Sequence, residues 1–509
     1  MTHSSKIIAL FLVALIFGCA DDDDSASTPL PTTINFQFKS SINVGGEGAS
    51  EISAFDPSTN KLFTVNVEND EISVHNISNI NTPSLETPIS ISAFGKPNSV
   101  SVYNGQLAVA VEASVKQNPG QILVFNTTDG TLQNQYTVGA LPDMVTFSKD
   151  GNLLLSANEG EPNDDYTVDP MGSVSIIDLS NNTVVTLDFT AFNSQETVLE
   201  NQGFRVFGPN ADLATDVEPE YIAIADDSQT AWVSLQENNG IAKINLLTKT
   251  IEAIYPLGFK DYNDPNNSID ASDKDLTTEL RNWPVFGMYQ PDAITYANIN
   301  GTGYVISANE GDARDYDGFS EEERVEDLVL DDTTFPSSED FQNEINLGRL
   351  KITTTLGDTD NDGDTDVIYN YGARSFSIWS TDGNLVYDSG NDISEIVLSE
   401  TPDRFNWDWE DNETDKRSDD KGAEPEAVEV LTINEKTILF VGLERNSQVM
   451  VFDISNPTSP QYIQLLQRAT DYAPEGVLAI SASDSPTGKS LVVISNEDSG
   501  TISIYENEE

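Results

Sequence analysis

One phrase recurs seven times along this chain, and that recurrence limits the available folds more than any other feature. "PDMVTFSKDGNLLLSANEG…GSVSIIDLSNNTVVTLDF" begins at Pro142, "PEYIAIADDSQTAWVSLQENNGIAKINLLTKTIEAIY" at Pro219, and "PEAVEVLTINEKTILFVGLERNSQVMVFDISNP" at Pro425. "PEGVLAISASDSPTGKSLVVISNEDSGTISIYE" from Pro474 has the same grammar, and weaker copies start at Glu51, Pro97 and Pro291. Each reads as an apolar strand, a short turn, a second apolar strand ending near Glu, a variable loop, then a third strand and usually a fourth. Such short strands, rich in β-branched and aromatic residues, bury both faces only by stacking unit on unit. The spacing predicts an all-β, seven-bladed β-propeller of the YVTN/WD40-like kind. A two-domain β-sandwich would leave the repeat unexplained.

Two irregular copies sharpen the reading. The copy at Pro291 loses its third strand to an insertion and regains it as "RSFSIWSTDGNLVYDSG" from Arg374. The last copy stops after its third strand, Thr501–Tyr505, while "TINFQFKS", Thr33–Ser40, stands alone before the first. That lone strand is expected to supply the missing fourth and close the last blade.

The turns joining strands 1–2 and 3–4 are short throughout, so the long segments all fall on the opposite face. They are Gly160–Met171, Thr190–Asp216, Pro256–Tyr289, Glu400–Glu424 and the insertion at 311–373. Long loops gathered on one face of a rigid scaffold are what a binding face requires.

Two sets of acids point to that same face. The first strands open on Glu51, Asn98, Asp143, Glu220, Asp292, Glu426 and Glu475; the second strands end at Glu68, Glu112, Glu159, Glu237, Glu310, Glu444 and Glu497. Composition does not produce seven glutamates in seven copies, since only about one residue in six is acidic. Local backbone N–H groups or neighbouring blades can satisfy such acids; bound cations are the other relief for carboxylates crowded near one axis. Glu159, Glu310, Asp312, Asp143 and Asp292 are the candidate ligands from these sets, because "SANEGEPNDDY" and "SANEGDARDY" add further acids beside Glu159 and Glu310.

The insertion carries the most specific motif, "GDTDNDGDTDVIYNYG" from Gly357. Asp358, Asp360 and Asp362 hold positions 1, 3 and 5, Gly363 position 6 and Asp366 position 9, with the Asp364 carbonyl as a further oxygen. Alternate oxygens converge on one ion while Gly permits the sharp turn, and Ca²⁺ takes 6–8 of them. An EF-hand would want Glu at position 12, where Tyr369 stands, so the pattern fits the shorter calcium loops found between β-strands. The alternative is an unliganded acidic turn.

Charge and rare residues exclude much else. The chain has 85 Asp and Glu against 25 Lys and Arg, a formal net charge of -60, which opposes nucleic acid and anionic lipid. Its histidines are His3 and His75 and its one cysteine is Cys19, so no Ser-His-Asp triad, His-rich zinc site or disulfide framework is available. Residues 1–18 combine Lys6 with an apolar run too short to span a bilayer, a secretory signal. "IFGC" resembles a bacterial lipobox with Cys19 as the lipidated residue, followed by an acidic and polar tether at 19–33; an ordinary signal peptide is the alternative. The propeller then occupies 34–509. An exported, monomeric outer-membrane lipoprotein, facing the exterior and touching membrane only through its lipid, is the expectation.

The runs "LPDMVTFSKDGNLLLSANEGEPNDDY", "YQPDAITYANINGTGYVISANEGDARDYDGF", "YGARSFSIWSTDGNLVYDSG" and "APEGV" together resemble the choice-of-anchor I family, over essentially the whole chain after the tether. That family includes mesenchyme-specific cell-surface glycoproteins of biomineralisation, and relatives are often labelled alkaline-phosphatase-like. The resemblance implies a surface-held domain and transfers no catalytic residues. Two functions follow as expectations. One is a non-catalytic, calcium-loaded surface propeller that binds mineral, matrix or protein. The other is a calcium-dependent phosphoesterase, with Arg314 or Arg374 clamping the anion; the favoured reading of each arginine is an ion pair with nearby acids.

Overall fold

The structure, a computed structural model, describes residues 34–508. The signal, Cys19 and the tether lie outside the described residues. The fold is all-β and organised as a β-propeller. Its repeating sheet is the four-strand antiparallel meander, as in Pro142–Phe147, Leu153–Asn158, Ser173–Asp178 and Thr183–Leu187. Burial within that sheet follows its place in the stack. Leu153–Asn158 and Ser173–Asp178 are buried almost throughout, because both of their faces meet neighbouring sheets. Pro142–Phe147 alternates, with one side toward the axis, and Thr183–Leu187 is mostly exposed at the rim.

The first strands are Ser53–Asp56, Lys96–Tyr103, Pro142–Phe147, Pro219–Ile224, Ile294–Ile299, Pro425–Ile433 and Pro474–Ile480. Each contacts the next in that order, and Pro474–Ile480 contacts Ser53–Asp56. All of them line one axial cavity of about 250 Å³. The strand delayed by the insertion is Ser375–Ser380, paired beside Thr302–Asn309.

The lone N-terminal strand lies where its isolation in the sequence places it. Phe36–Asn43 pairs antiparallel with Thr501–Asn507, from Phe36 opposite Asn507 to Asn43 opposite Thr501, with an irregularity between Phe38 and Ser40. Gln464 extends the attachment to the preceding sheet. Its Oε1 accepts from the Phe36 N–H at 2.7 Å and its Nε2 donates to the Phe36 carbonyl at 3.1 Å. The Phe36 ring meets Phe440 edge-on at 5.2 Å and is 2% exposed.

The long segments are not plain loops. Phe259–Asp261 and Val285–Met288 from one of them join Glu322–Arg324, Lys351–Thr353 and Ile368–Asn370 of the insertion in a separate five-stranded sheet. Val285–Met288 and Ile368–Asn370 run parallel, the one parallel pairing between named strands here. Tyr262, Val285, Phe335, Leu347, Ile352 and Ile368 belong to an apolar cluster beneath this sheet. These strands are three or four residues long, too short for a period-2 pattern to show in sequence. The other segments pack onto the same layer. Tyr166 meets Tyr316 and Phe319 edge-on at 5.6 and 5.5 Å, Arg205 pairs with Glu321, and Arg324 reaches Asp419 at 2.7 Å.

Closure by the N-terminal strand gives a direct expectation. Phe36→Ala empties a buried ring site and should cost about 3–5 kcal/mol, read as a lower Tm and a lower denaturation midpoint. A variant melting within 1 °C of the parent (roughly the scatter of such measurements, against several degrees expected) would show that this strand does not hold the ends together.

Candidate functional site

A repeated corner brings the two sets of acids together. In four units the first strand is preceded by a non-glycine residue in the left-handed region: Leu141 (φ 46), Gln290 (φ 44), Glu424 (φ 54) and Ala473 (φ 53). Proline follows each of them and an acid follows the proline: Asp143, Asp292, Glu426 and Glu475. This backbone costs of order 1–3 kcal/mol per site and presents the carbonyl before proline to the end of the second strand. Glu159 N–H donates to the Leu141 carbonyl at 2.8 Å, Glu444 N–H to Glu424 at 2.9 Å, and Glu497 N–H to Ala473 at 2.8 Å. In the copy at Pro291 the bond comes one residue later, from Gly311 to Gln290 at 3.3 Å. Each sheet thus carries its two acids side by side.

Asparagine fixes the second position. Asn158, in "SAN" just before Glu159, donates to the Ser173 carbonyl and to the Ser173 and Ser175 hydroxyls at 3.1–3.2 Å. Asn309, before Glu310, donates to Ser375 and Ser377 in the same way, and Asn496, before Glu497, donates to Thr501.

The acids of neighbouring sheets converge. Glu51, Asn98, Glu112, Asp143, Glu159 and Glu497 all line an open cavity of about 320 Å³, together with Glu475, Glu161, Lys96 and Lys116. Burial and mutual repulsion oppose ionisation there. Burial, then Glu497, Glu475 and other carboxylates, push Glu51 up to about 9. Burial and nearby acids raise Asp143, Glu237 and Glu497 to about 7. Glu159, Glu220, Asp292, Glu426 and Glu444 are driven well above the carboxylate range, by burial first and then by acids that for most of them include neighbours on other sheets.

Two members depart from the sequence pattern. Glu68 is exposed and accepts from the Gly46 N–H at 2.8 Å, a local role. Asn98 donates to the Pro142 carbonyl at 3.2 Å.

Two triads of glutamate have carboxylate oxygens within 4.8 Å of one another, Glu159–Glu220–Glu237, of which Glu159 lines that open cavity, and Glu310–Glu424–Glu444. The second is filled by the protein's own cations. Lys421 Nζ lies 2.6 Å from Glu310 and 3.4 Å from Glu424, Arg417 lies 2.8 Å from Glu424, and Arg445 lies 3.4 Å from Glu444. Although burial alone would raise Glu424, Lys421, Arg417 and Arg445 hold it down at about 2. Glu310 also accepts from Gln236 at 3.0 Å. Asp312 stands at the edge, half-exposed, 3.6 Å from Lys421. Lys421, Arg417 and Glu424 come from the long "NETDKRSDDKGAE" segment, whose register against the axis no repeat announces.

The aspartate loop folds on itself outside this mouth. Asp358 accepts from the Asp362 and Gly363 N–H groups at 3.2 and 3.1 Å, and Asp366 accepts from Thr359 N–H at 2.8 Å and its hydroxyl at 2.6 Å. Gly363 takes φ 99, a conformation that favours glycine. Oxygens of Asp358, Asp360 and Asp366 gather within 4.8 Å, and so do those of Asp331, Asp364 and Asp366. Asp362 belongs to neither group and accepts instead from the Asp364 N–H at 3.3 Å. Asp331 has no signal in the motif; a parallel bridge between Leu330 and Thr365 brings it in. Burial and the Asp362 carboxylate raise Asp364 to about 6, and Asp362 raises Asp360.

Neither candidate arginine faces an open cavity. Arg314 is buried, 2.7 Å from Asp216 and 3.0 Å from Glu218, with its guanidinium 4.5 Å from the centre of the Phe207 ring. Arg374, also buried, donates to the carbonyls of Asp270, Ser418 and Asp420 at 2.6–3.0 Å and so clamps backbone from two long segments.

Known proteins are similar to this chain in sequence or in backbone. Among curated proteins, Gigasin-3a of Magallana gigas is 29% identical over 188 residues, a match spanning 32% of this chain and 66% of that protein, just short of two thirds of its length. Among solved structures, a Kuenenia stuttgartiensis hydrazine synthase superposes with a TM-score of 0.51 at 11% identity, over 91% of this chain and 96% of that one, a likeness of fold alone. A β-propeller domain of Cps50 (Swd1) from Myceliophteria thermophila superposes with a TM-score of 0.46 at 7% identity, over 93% and 100% of the two chains. The description of the choice-of-anchor I domain matches residues 51–457. The chain belongs to the choice-of-anchor I family.

Proposed function

We propose that this protein is a seven-bladed, lipid-anchored β-propeller that binds calcium and an extracellular ligand at the cell surface, without catalysing a reaction. Family and fold together point to a surface-associated propeller. Seven first strands in mutual contact around one axial cavity support the blade count and ring closure. The Cys19 anchor and the outward-facing placement rest on the sequence, and no helix among the described residues is long and apolar enough to cross a membrane.

The observation that carries the binding reading is the convergence of seven of the fourteen positions, drawn from both sets, on one open cavity that Glu161 of the segment 160–171 also lines. Such a surface repels anions and attracts cations or cationic ligands. Calcium at Asp358, Asp360, Asp364 and Asp366, joined by Asp331, would pin the insertion from both strands of its Leu330–Thr365 bridge. Phosphate hydrolysis with an arginine clamping the anion would need that guanidinium free. Arg314 and Arg374 spend their guanidiniums on buried carboxylates and backbone carbonyls, which favours binding over hydrolysis.

Calcium removal tests the first part. Chelator should lower Tm by several degrees, since a ligand at a hundred times its Kd contributes about 2.7 kcal/mol, and the Asp358→Asn/Asp366→Asn variant should lose part of that response. Equal melting with and without chelator would sink the calcium reading. Turnover of p-nitrophenyl phosphate in calcium, lost in Arg314→Ala or Arg374→Ala, would instead support hydrolysis.

A pH series tests the acidic mouth. Glu51 and Glu497 have folded pKa values raised to about 9 and about 7, so the folded state binds more protons than the unfolded chain. Their contribution is fully present below the ordinary carboxylate range and is lost as pH rises through the folded values. In chelator, Tm should therefore fall as pH rises from the ordinary Glu value of 4.5 through about 7 and on to about 9. Glu51→Gln should flatten the fall and raise Tm at the upper end by about 2 °C or more. A fall of equal slope in Glu51→Gln would remove that residue from the account.

A further inference from the structure

The two glutamate triads differ in one respect that has a chemical consequence. Glu310–Glu424–Glu444 encloses Lys421, Arg417 and Arg445. Glu159–Glu220–Glu237 is equally tight, yet among the described residues none of its members forms an ion pair. Glu220 Oε2 and Glu237 Oε2 are buried with no hydrogen-bond partner, and the two residues are only 9% and 5% exposed. Arg314 is the cation of this neighbourhood, and Asp216 and Glu218 already hold it at 2.7 and 3.0 Å. Buried carboxylate oxygens without partners are costly unless a proton or an external cation neutralises them.

We propose that Glu159, Glu220 and Glu237 bind one divalent cation, occupying in this triad the place that Lys421 occupies in the other. Oxygens on opposite sides of a calcium ion lie about 4.6–5.2 Å apart for bonds of 2.3–2.6 Å. Three groups within 4.8 Å of one another therefore fit a single ion. Each carboxylate supplies one or two oxygens, so a calcium ion taking 6–8 keeps positions for water or for an oxygen donor entering the cavity that Glu159 lines. Glu220 opens a first strand, while Glu159 and Glu237 follow second strands of adjacent sheets, so the ion would join two sheets directly. The site is separate from the aspartate loop and stands whether or not that loop holds calcium.

The test uses the full chain and calcium as the probe, in the Asp358→Asn/Asp366→Asn background so that the loop does not contribute. Calorimetric titration should find one ion fewer per chain when Glu220→Gln/Glu237→Gln is added to that background. In chelator the added pair of substitutions should leave Tm equal or higher, because it removes repulsion along with the ligands. An unchanged ion count would overturn the proposal. Should the combined variant not fold, anomalous diffraction from parent crystals soaked in Mn²⁺ decides. A peak between the three carboxylates supports the site, and its absence overturns it, whatever is seen at the aspartate loop.

Discussion

One backbone hydrogen bond organises the acidic end of this molecule. Where a unit turns into its first strand, a left-handed residue before proline offers its carbonyl to the N–H at or just beyond the end of the second strand. The bond fixes the acid after proline next to the glutamate that ends the neighbouring strand. In the four units that have it, it sets a carboxylate pair at the same end of the sheet. The strain of the corner and the repulsion of the pair are both local costs, held in place by second and third strands buried almost throughout.

Relief of that repulsion is uneven. On the side of Pro291 and Pro425, the segment ending in Glu424 folds back and inserts Lys421 and Arg417 among the glutamates. Glu424 is then ionised and held low, although it is fully buried. On the side of Pro142 and Pro219 the long segments deliver no base to the triad itself. Arg314 reaches that neighbourhood from the insertion but spends its charge on Asp216 and Glu218. The acidic end thus divides into a self-neutralised half and a half whose acids are driven toward protonation or toward an external cation.

Legibility in the sequence followed the range of each interaction. The repeat, the delayed third strand and the lone N-terminal strand were readable because apolar runs of six to nine residues keep their period and their turns. The separate five-stranded sheet was not, because its strands span three or four residues and one pairing is parallel across distant segments. At the site, acid after acid could be counted along the chain, but partners could not. Glu68 and Glu310 occupy the same place in their units, yet one caps the Gly46 amide in solvent and the other meets Lys421. Arg374, read as an anion clamp or ion-pair partner, turned out to hold backbone carbonyls, which carry no sequence signature.

The insertion connects these levels. Its first residues bring Arg314 beside the acidic mouth, its middle strands extend the separate sheet, and its aspartate loop lies beyond them, tied by the Leu330–Thr365 bridge. Arg314 and Glu321 approach from opposite ends of one short hairpin and bond to each other's backbone and carboxylate groups. Glu321 in turn pairs with Arg205, and both arginines stack on Phe207, at 4.0 and 4.5 Å. Anything that orders the insertion therefore acts on the residues that sit against Glu218 and Glu237. An ion in the aspartate loop would stiffen the element that keeps Arg314 committed to Asp216 and Glu218. The bare triad would then stay bare of protein cations, and open to one from solution.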